Sequence, residues 1–198
     1  MGSLGHMVRW EPGARARLQL AATSLFLTRG FEATTVQDIA REAGLTERTF
    51  FRHFTDKREV LFVGQQEYES HFLRGVREAP EGLSSFALAS AAIAAAADFF
   101  PAERRPWSRQ RQAVIDANPA LQERELLKRA ALGAALTEEL RAHGVPAPDA
   151  PLAAETGVTV FHVAFRLWIA EEEDRSLLEI EQEVLGRLSA IVPGADRA

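Results

Sequence analysis

The chain of 198 residues contains no cysteine. Disulfide bonds, thiol catalysis and thiolate metal sites are therefore excluded together. The chain also lacks an uncharged apolar run of the roughly 18 residues that a helix needs to cross a bilayer. Its richest apolar stretch, Phe86 to Phe100, is mostly alanine and includes Ser90 and Asp98. These absences favour a soluble protein of the reducing cytoplasm that has no membrane partner.

Sequence motifs of catalysis are absent as well. After residues 1–7, which we interpret as the remnant of an expression tag, the chain contains four histidines but no HExxH pair, no phosphate-binding glycine loop and no GxSxG motif. The acidic runs Glu138-Glu139 and Glu171 to Glu173 are typical of solvated helix faces. We therefore expect no enzyme, no bound metal and no cofactor.

The net charge of −5 is divided unevenly along the chain. From Met7 to Arg58, nine Arg and Lys residues accompany six Asp and Glu residues, an excess of three positive charges, so the remainder carries an excess of eight negative charges. A basic segment joined to an acidic one suits a protein that meets phosphate with one face while the rest stays soluble.

Helical spacing of apolar residues dominates the N-terminal third. Ala14 to Arg29 is predicted to be a helix that stops at a glycine. Thr35 and Asp38 form a capping-box pattern for a second, short helix that ends at Gly44. Thr46 can cap a third helix, in which Leu45, Phe50 and Phe54 point inward while the remaining positions are polar. Asp56 is then expected to cap a long fourth helix that runs to about Ala79.

Two short helices joined by a glycine turn and packed on a preceding helix form a helix-turn-helix, whose second helix fits the major groove of DNA. Residues 8–58 are therefore predicted to be a DNA-binding domain. Residues 59–198 stay helical, with breaks at Gly82, Pro101 to Pro106, Asn118-Pro119 and Gly144 to Pro151. The last helix begins with a Ser176/Glu179 capping box. The expected fold is all-α, with a three-helix N-terminal domain, a larger helical domain for ligand binding and dimerisation, and about nine helices.

The stretch TTVQDIAREAGLTERTFFRHFTDKREVLF, from Thr34 to Phe62, resembles the signature of the TetR family of bacterial regulators. The resemblance implies a regulator that binds a double-stranded DNA operator, with Thr46 to Phe54 as the recognition helix. Carried over residue by residue, it predicts these DNA-binding residues: Gln37, Thr46, Glu47, Arg48, Thr49, Phe51, Arg52, His53 and Lys57.

The chemistry of these side chains indicates which part of the DNA each one can contact. Arg48 can bind guanine with two hydrogen bonds, Gln37 can do the same for adenine, and Glu47 can accept from cytosine. Lys57, expected in the first turn of the fourth helix, would contact a phosphate. Many family members have tyrosine where this chain has Phe51, so the hydroxyl contact to phosphate must be absent here.

Apolar residues cover more than one side of the penultimate helix, which indicates packing against a second copy of the chain, although simple burial in a monomer remains the alternative. The resemblance implies that the last two helices build a dimeric four-helix bundle. The predicted homodimer interface consists of Phe161, Phe165, Val184, Leu188 and Ile191.

Aromatic residues flank the alanine-rich run, where small side chains can leave an apolar cavity. Asn118 to Leu140 resembles a domain type that senses acyl-CoA-like molecules in related regulators. We expect a repressor released by a small apolar or acyl-bearing effector; the alternative is control by a protein partner without a small effector. The predicted ligand-binding residues are Tyr68, Phe99, Phe100, Trp107, His162 and Arg166.

Overall fold

The computed structural model describes residues 13–191, so the prediction for residues 1–7 lies outside the described part. Helices are the only regular elements within these residues, and the predicted all-α fold is confirmed. Two 3-10 turns, Glu59–Phe62 and Ala102–Arg104, accompany the α-helices. The helices described are α1 (Ala14–Arg29), α2 (Val36–Glu42), α3 (Glu47–His53), α4 (Gln65–Arg77), α5 (Ser85–Ala97), α6 (Arg105–Asp116), α7 (Pro119–Ala142), α8 (Asp149–Trp168) and α9 (Leu177–Ile191).

Helix caps follow the predicted signals. The Thr35 hydroxyl accepts a hydrogen bond from the Asp38 amide at 3.1 Å, and the Asp38 carboxylate accepts one from the Thr35 amide at 3.1 Å. Ser176 and Glu179 make the same reciprocal pair at the start of α9, with distances of 2.8 and 3.3 Å. Because these bonds satisfy amide groups that a helix leaves unpaired, they fix where α2 and α9 begin.

The chain divides into two compact units, which we call the head (residues 13–63) and the body (residues 64–191). The sequence placed this boundary five residues earlier, after residue 58. The turn Glu59–Phe62 belongs to the head because Val60, Leu61 and Phe62 are buried there and the turn packs against α1.

The predicted long fourth helix from Asp56 is wrong. The Asp56 carboxylate accepts hydrogen bonds from the amides of Arg58, at 2.7 Å, and Glu59, at 3.3 Å, and so caps only the 3-10 turn. Gly64 then has φ +83°, a left-handed conformation that breaks the helical path. A Cβ atom at Gly64 would also lie 3.0 Å from Cζ of Phe99, so α4 begins only at Gln65.

The alanine-rich α5 lies in the core of the body, packed against α4 and α8. A Cβ atom at Gly75 of α4 would lie 2.4 Å from the Ala91 carbonyl oxygen, so the two helices require glycine at this crossing. Within the described residues, no single helix is long and apolar enough to cross a membrane. Only Ser85–Ala97 together with Ala102–Asp116 meets that criterion, as a pair bent by 71°.

Candidate nucleic-acid interface

The inner face of α3 anchors the helix in the head. Phe50 is fully buried and Phe54 nearly so, and their rings lie 5.3 Å apart. The Thr46 hydroxyl accepts a hydrogen bond from the Thr49 amide at 3.2 Å and caps the helix. These contacts fix the orientation of α3 about its own axis, because rotating the helix would expose two aromatic rings to water.

The outer face of α3 is exposed. Glu47, Arg48, Phe51 and Arg52 all lie on this side, and the Phe51 ring is 56% exposed although it is large and apolar. Positions three and four residues apart are neighbours on a helix surface, as are Arg48 and Phe51, Glu47 and Phe51, and Arg48 and Arg52, so four of the predicted DNA contacts form a continuous surface. We call these four residues the α3 outer face.

One face of α2, with Gln37 in its first turn and Arg41 in its last, extends this surface. Gln37 is exposed and lines an open depression with Thr46 and Glu47 at the corner between α2 and α3. Arg41 lines the same depression, one turn after Gln37, and its guanidinium pairs with Asp38. Sequence reasoning missed Arg41; its spacing of four residues from Gln37 was the available signal.

A sharp turn sets the angle between α2 and α3. Gly44 has φ +64°, and a Cβ atom there would lie 2.8 Å from a guanidinium nitrogen of Arg17. The same nitrogen donates to the Ala43 carbonyl and so ties α1 to the end of α2. Glycine at this turn is therefore favoured by its left-handed backbone conformation, and an added Cβ atom would also displace the Arg17 guanidinium.

Lys57 has different surroundings from those that its predicted phosphate contact assumes. Its ammonium donates to the carbonyls of Phe31, at 2.8 Å, and Thr34, at 3.1 Å, and lies 4.2 Å from the centre of the Phe31 ring. It also lies outside any α-helix, so no helix N-terminus assists it. The ammonium holds the connection between α1 and α2 in place. The predicted position in the first turn of a helix is wrong, while the phosphate contact itself stays a prediction.

Two further side chains that were predicted to contact DNA are only partly exposed. Thr49 is half-buried and its hydroxyl lies 3.0 Å from that of Thr46. His53 is also half-buried, and its Nε2 atom has no hydrogen-bond partner among the described residues. The side chains of the predicted set that are freely presented are Gln37, Thr46 and the α3 outer face.

Comparison with known proteins agrees with this geometry. Residues 20–62 match the family model described as bacterial regulatory proteins, tetR family. The match lies within the head, so the helix-turn-helix of this chain is similar to the N-terminal domain of tetR-family regulatory proteins.

Curated relatives of the TetR-type domain match over a limited length. The chain is 40% identical over 68 residues to the transcriptional regulator TcmR of Streptomyces glaucescens, a match covering 34% of this chain and 30% of TcmR. It is 32% identical over 65 residues to the transcriptional activator FasR of Mycolicibacterium smegmatis, covering 33% of this chain and 30% of FasR. The match thus spans about a third of these relatives, which are described as transcriptional regulators rather than enzymes.

Solved structures of TetR-type proteins share the fold over most of the chain. The SmeT–triclosan complex superposes with a TM-score of 0.61 at 18% identity, covering 91% of each chain. The fatty acid degradation regulator FadR of Bacillus halodurans superposes with a TM-score of 0.54 at 17% identity, covering 93% of this chain and 97% of FadR. The helical fold of the chain is therefore similar to that of these two proteins, although the sequences have diverged.

The body brings some of the predicted ligand-binding residues together. Tyr68 lies 5.9 Å from Phe99 and 5.8 Å from Phe100, measured between ring centres. These rings belong to an aromatic cluster made of Tyr68, Phe72, Phe99, Phe100, Phe161, Phe165 and Trp168. Trp107 is half-buried on α6, outside these ring contacts.

His162 and Arg166 lie in a separate polar group between α6 and α8. A guanidinium nitrogen of Arg166 lies 2.6 Å from the Asp116 carboxylate, in a pair that is nearly half exposed. Burial, followed by the nearby charge of Arg129, lowers the pKa of His162 below its usual value. The six predicted ligand-binding residues therefore do not form one site.

The predicted dimer interface needs correction. Phe161 and Phe165 are 6% and 8% exposed within a single chain, and Val184 is 8% exposed. The two rings pack in the aromatic cluster, so they cannot also face a second copy. Leu188 is half-buried against the core, and only Ile191, at 76%, is freely exposed.

Proposed function

We propose that the chain is a dimeric repressor that binds a two-fold symmetric operator through the α3 outer face and is released by a small effector bound in the body. It acts in the cytoplasm, where bacterial DNA lies. The observation that carries the proposal is α3 itself, a short helix with a buried aromatic inner face and an outer face that presents two arginines. Such a helix fits the major groove, where each arginine can bind guanine.

A dimer follows from the size of the DNA-contacting surface. One short helix reads only a few base pairs, so a specific site requires two heads. Repression is what the TetR resemblance implies, and KstR2 of Mycolicibacterium smegmatis, described as a repressor, is 48% identical to this chain over 44 residues that cover 21% of KstR2.

The dimer surface that we propose lies on the exposed sides of α8 and α9. Leu152, Val163 and Leu167 share one side of α8 and are 69%, 42% and 42% exposed. Leu178 and Ile191 of the adjacent α9 are exposed too. A second copy of this chain would bury these apolar side chains through a two-fold contact.

Selection of bound fragments from the source genome tests the whole proposal. We expect the enriched fragments to share a motif with two inverted halves, and sedimentation of the protein to show a dimer. Val163→Glu combined with Leu167→Glu should dissociate the dimer and weaken operator binding, whereas Leu83→Glu, with 39% exposure in a loop, should leave both unchanged. Fragments without a common motif would contradict the proposal, and a regulator that responds only to a protein would support the partner-controlled alternative.

A further inference from the structure

Glu181 is an ionisable residue placed on the core side of α9. It is 1% exposed and stands among Leu177, Ile180 and Val184, which are also buried. Neither of its carboxylate oxygens has a hydrogen-bond partner within residues 13–191. A carboxylate in this position has lost its hydration without gaining a partner, which is strongly unfavourable for the charged form.

A partly buried carboxylate of the body offers a comparison, because it has partners. Glu125 accepts hydrogen bonds from Arg111, at 3.0 Å, and from Gln112, at 3.1 Å. Glu181 has no such cation, and burial raises its pKa to about 8. The free protein at neutral pH therefore holds Glu181 largely as a neutral acid, which becomes a carboxylate when a cation reaches it.

The aromatic cluster and the neighbours of Glu181 on α9 belong to one hydrophobic core. Ile180 and Val184 pack in the same core as Phe72 and Phe161, and Tyr68 packs against it. The Tyr68 ring lies 5.0 Å from Phe72 and 5.5 Å from Phe161. The interior of the body thus combines an unpaired carboxylate with aromatic faces, the two features that favour an organic cation.

We propose that Glu181 recognises an effector with a protonated amine on an apolar body, the amine donating to the Glu181 carboxylate while the apolar part lies against Tyr68 and its neighbouring rings. This inference rests on the proposed function, because it names the effector of that regulator. On binding, Glu181 loses its proton to solvent and the ammonium keeps its own, so charge is conserved. A fatty acid anion would bring no cation to Glu181 and would itself be buried without a countercharge, so it is disfavoured.

Three ligands with the same chain and different head groups test the inference. Dodecylamine, dodecanol and dodecanoate are titrated into the full-length protein below their micelle concentrations, with calorimetry as the readout and melting curves as a check on folding. We expect the amine to bind about 10- to 100-fold more tightly than the alcohol, as for a hydrogen bond to a charged group, and dodecanoate to bind most weakly. Amine binding near pH 7 should release up to about one proton per ligand, measured in buffers of different ionisation enthalpy.

Glu181→Gln keeps the shape of the side chain and removes its charge. We expect this variant to bind dodecanol as before, to lose the preference for the amine, and to release no proton. The matched control is Glu183→Gln on the same helix, since Glu183 pairs at the surface with Arg175 and Arg187 and lies outside the core. The control should behave like the unaltered protein.

Measuring operator binding separates two claims: that Glu181 recognises an amine, and that this amine is the effector that releases DNA. An amine that binds no better than the alcohol, or an equal preference in Glu181→Gln, would overturn the inference even if another ligand releases DNA. Amine binding that depends on Glu181 but leaves operator affinity unchanged would support the recognition chemistry and overturn the effector role in the proposed function.

Discussion

The head and the body differ in where their amphipathic helices place charged side chains. In the head, α3 buries Phe50 and presents Arg48 and Arg52 to solvent, so its charges can meet a large partner from outside. In the body, α9 presents Glu179 at its surface but turns Glu181 into the core. Both units bury some uncharged polar side chains, such as Thr23 in the head and Gln112 in the body, but Glu181 is the one charged side chain buried among residues 13–191. Such departures from the amphipathic rule concentrate at functional positions.

Phe161→Ala gives the largest effect that we expect in the body. The ring is nearly buried and touches Tyr68 and Phe72, so its removal should lower the free energy of unfolding by about 3–5 kcal/mol. Urea unfolding of the full chain measures this change. Leu167→Ala, on the exposed side of the same helix, should alter monomer stability little and should weaken the dimer instead. Dimer loss in Phe161→Ala without a change in unfolding would restore the interface predicted from the sequence.

The buried carboxylate of α9 predicts a pH dependence that the surface charges do not share. Because the folded-state pKa of Glu181 is raised to about 8 from an ordinary value of 4.5, the native state keeps a proton that the unfolded chain loses between these values. Stability contributed by this group is therefore complete below about pH 4.5 and decreases as pH rises to 8, by roughly 4 kcal/mol.

Glu181→Gln should remove that decrease. The variant should match the unaltered protein near pH 4.5 and exceed it in free energy of unfolding at pH 8, measured by urea titration at several pH values. Glu183→Gln serves as the control and should follow the unaltered protein. An equal pH dependence in Glu181→Gln and the unaltered protein would show that Glu181 finds a partner or solvent.

Substitution of Lys57 tests whether this charged side chain of the head stabilises the fold or contacts DNA. Lys57→Ala loses two short hydrogen bonds to carbonyls and the contact with the Phe31 ring, so we expect a loss of about 1–3 kcal/mol in the stability of the head. Thermal unfolding followed by circular dichroism measures it. Unchanged stability with a shallower salt dependence of operator binding would support the phosphate contact predicted for Lys57.

Phe51→Tyr gives the smallest expected effect. The ring is already on the α3 outer face, and an added hydroxyl can donate to a phosphate, which is worth about 0.5–1.5 kcal/mol. Operator affinity should rise about 2- to 10-fold without a change in base preference, as measured by fluorescence anisotropy. A weaker complex would show that Phe51 packs against an apolar part of the DNA that the hydroxyl disturbs.

Local signals made the head predictable from its sequence. The capping residues Thr35 and Thr46 and the turn glycine Gly44 act within a few residues of their own position, and all three have the predicted roles. The start of α4 was wrong because Gly64 adopts a left-handed conformation, with φ +83°, which glycine allows but the sequence does not require.

Long-range packing made the body harder to predict. Helix α8 has apolar residues on two sides, and periodicity cannot say which side faces the core, so Phe161 was assigned to the wrong one. Glu181 stands in the run Ile180-Glu181-Gln182-Glu183, which has the composition of a solvated helix end. Its burial follows from how α9 packs against α5 and α8, which the sequence of α9 alone does not contain.

Base preference at the operator tests the central claim, that the α3 outer face reads DNA, most directly. Once a bound operator is known, the affinity of Arg48→Ala is measured against duplexes with each base pair of a half-site replaced, beside Arg141→Ala, which removes an exposed arginine of α7 in the body. We expect Arg48→Ala to lose about 1–3 kcal/mol of discrimination at one position in each half-site and to keep it elsewhere, with Arg141→Ala unchanged. Unaltered discrimination at every position in Arg48→Ala would contradict the account.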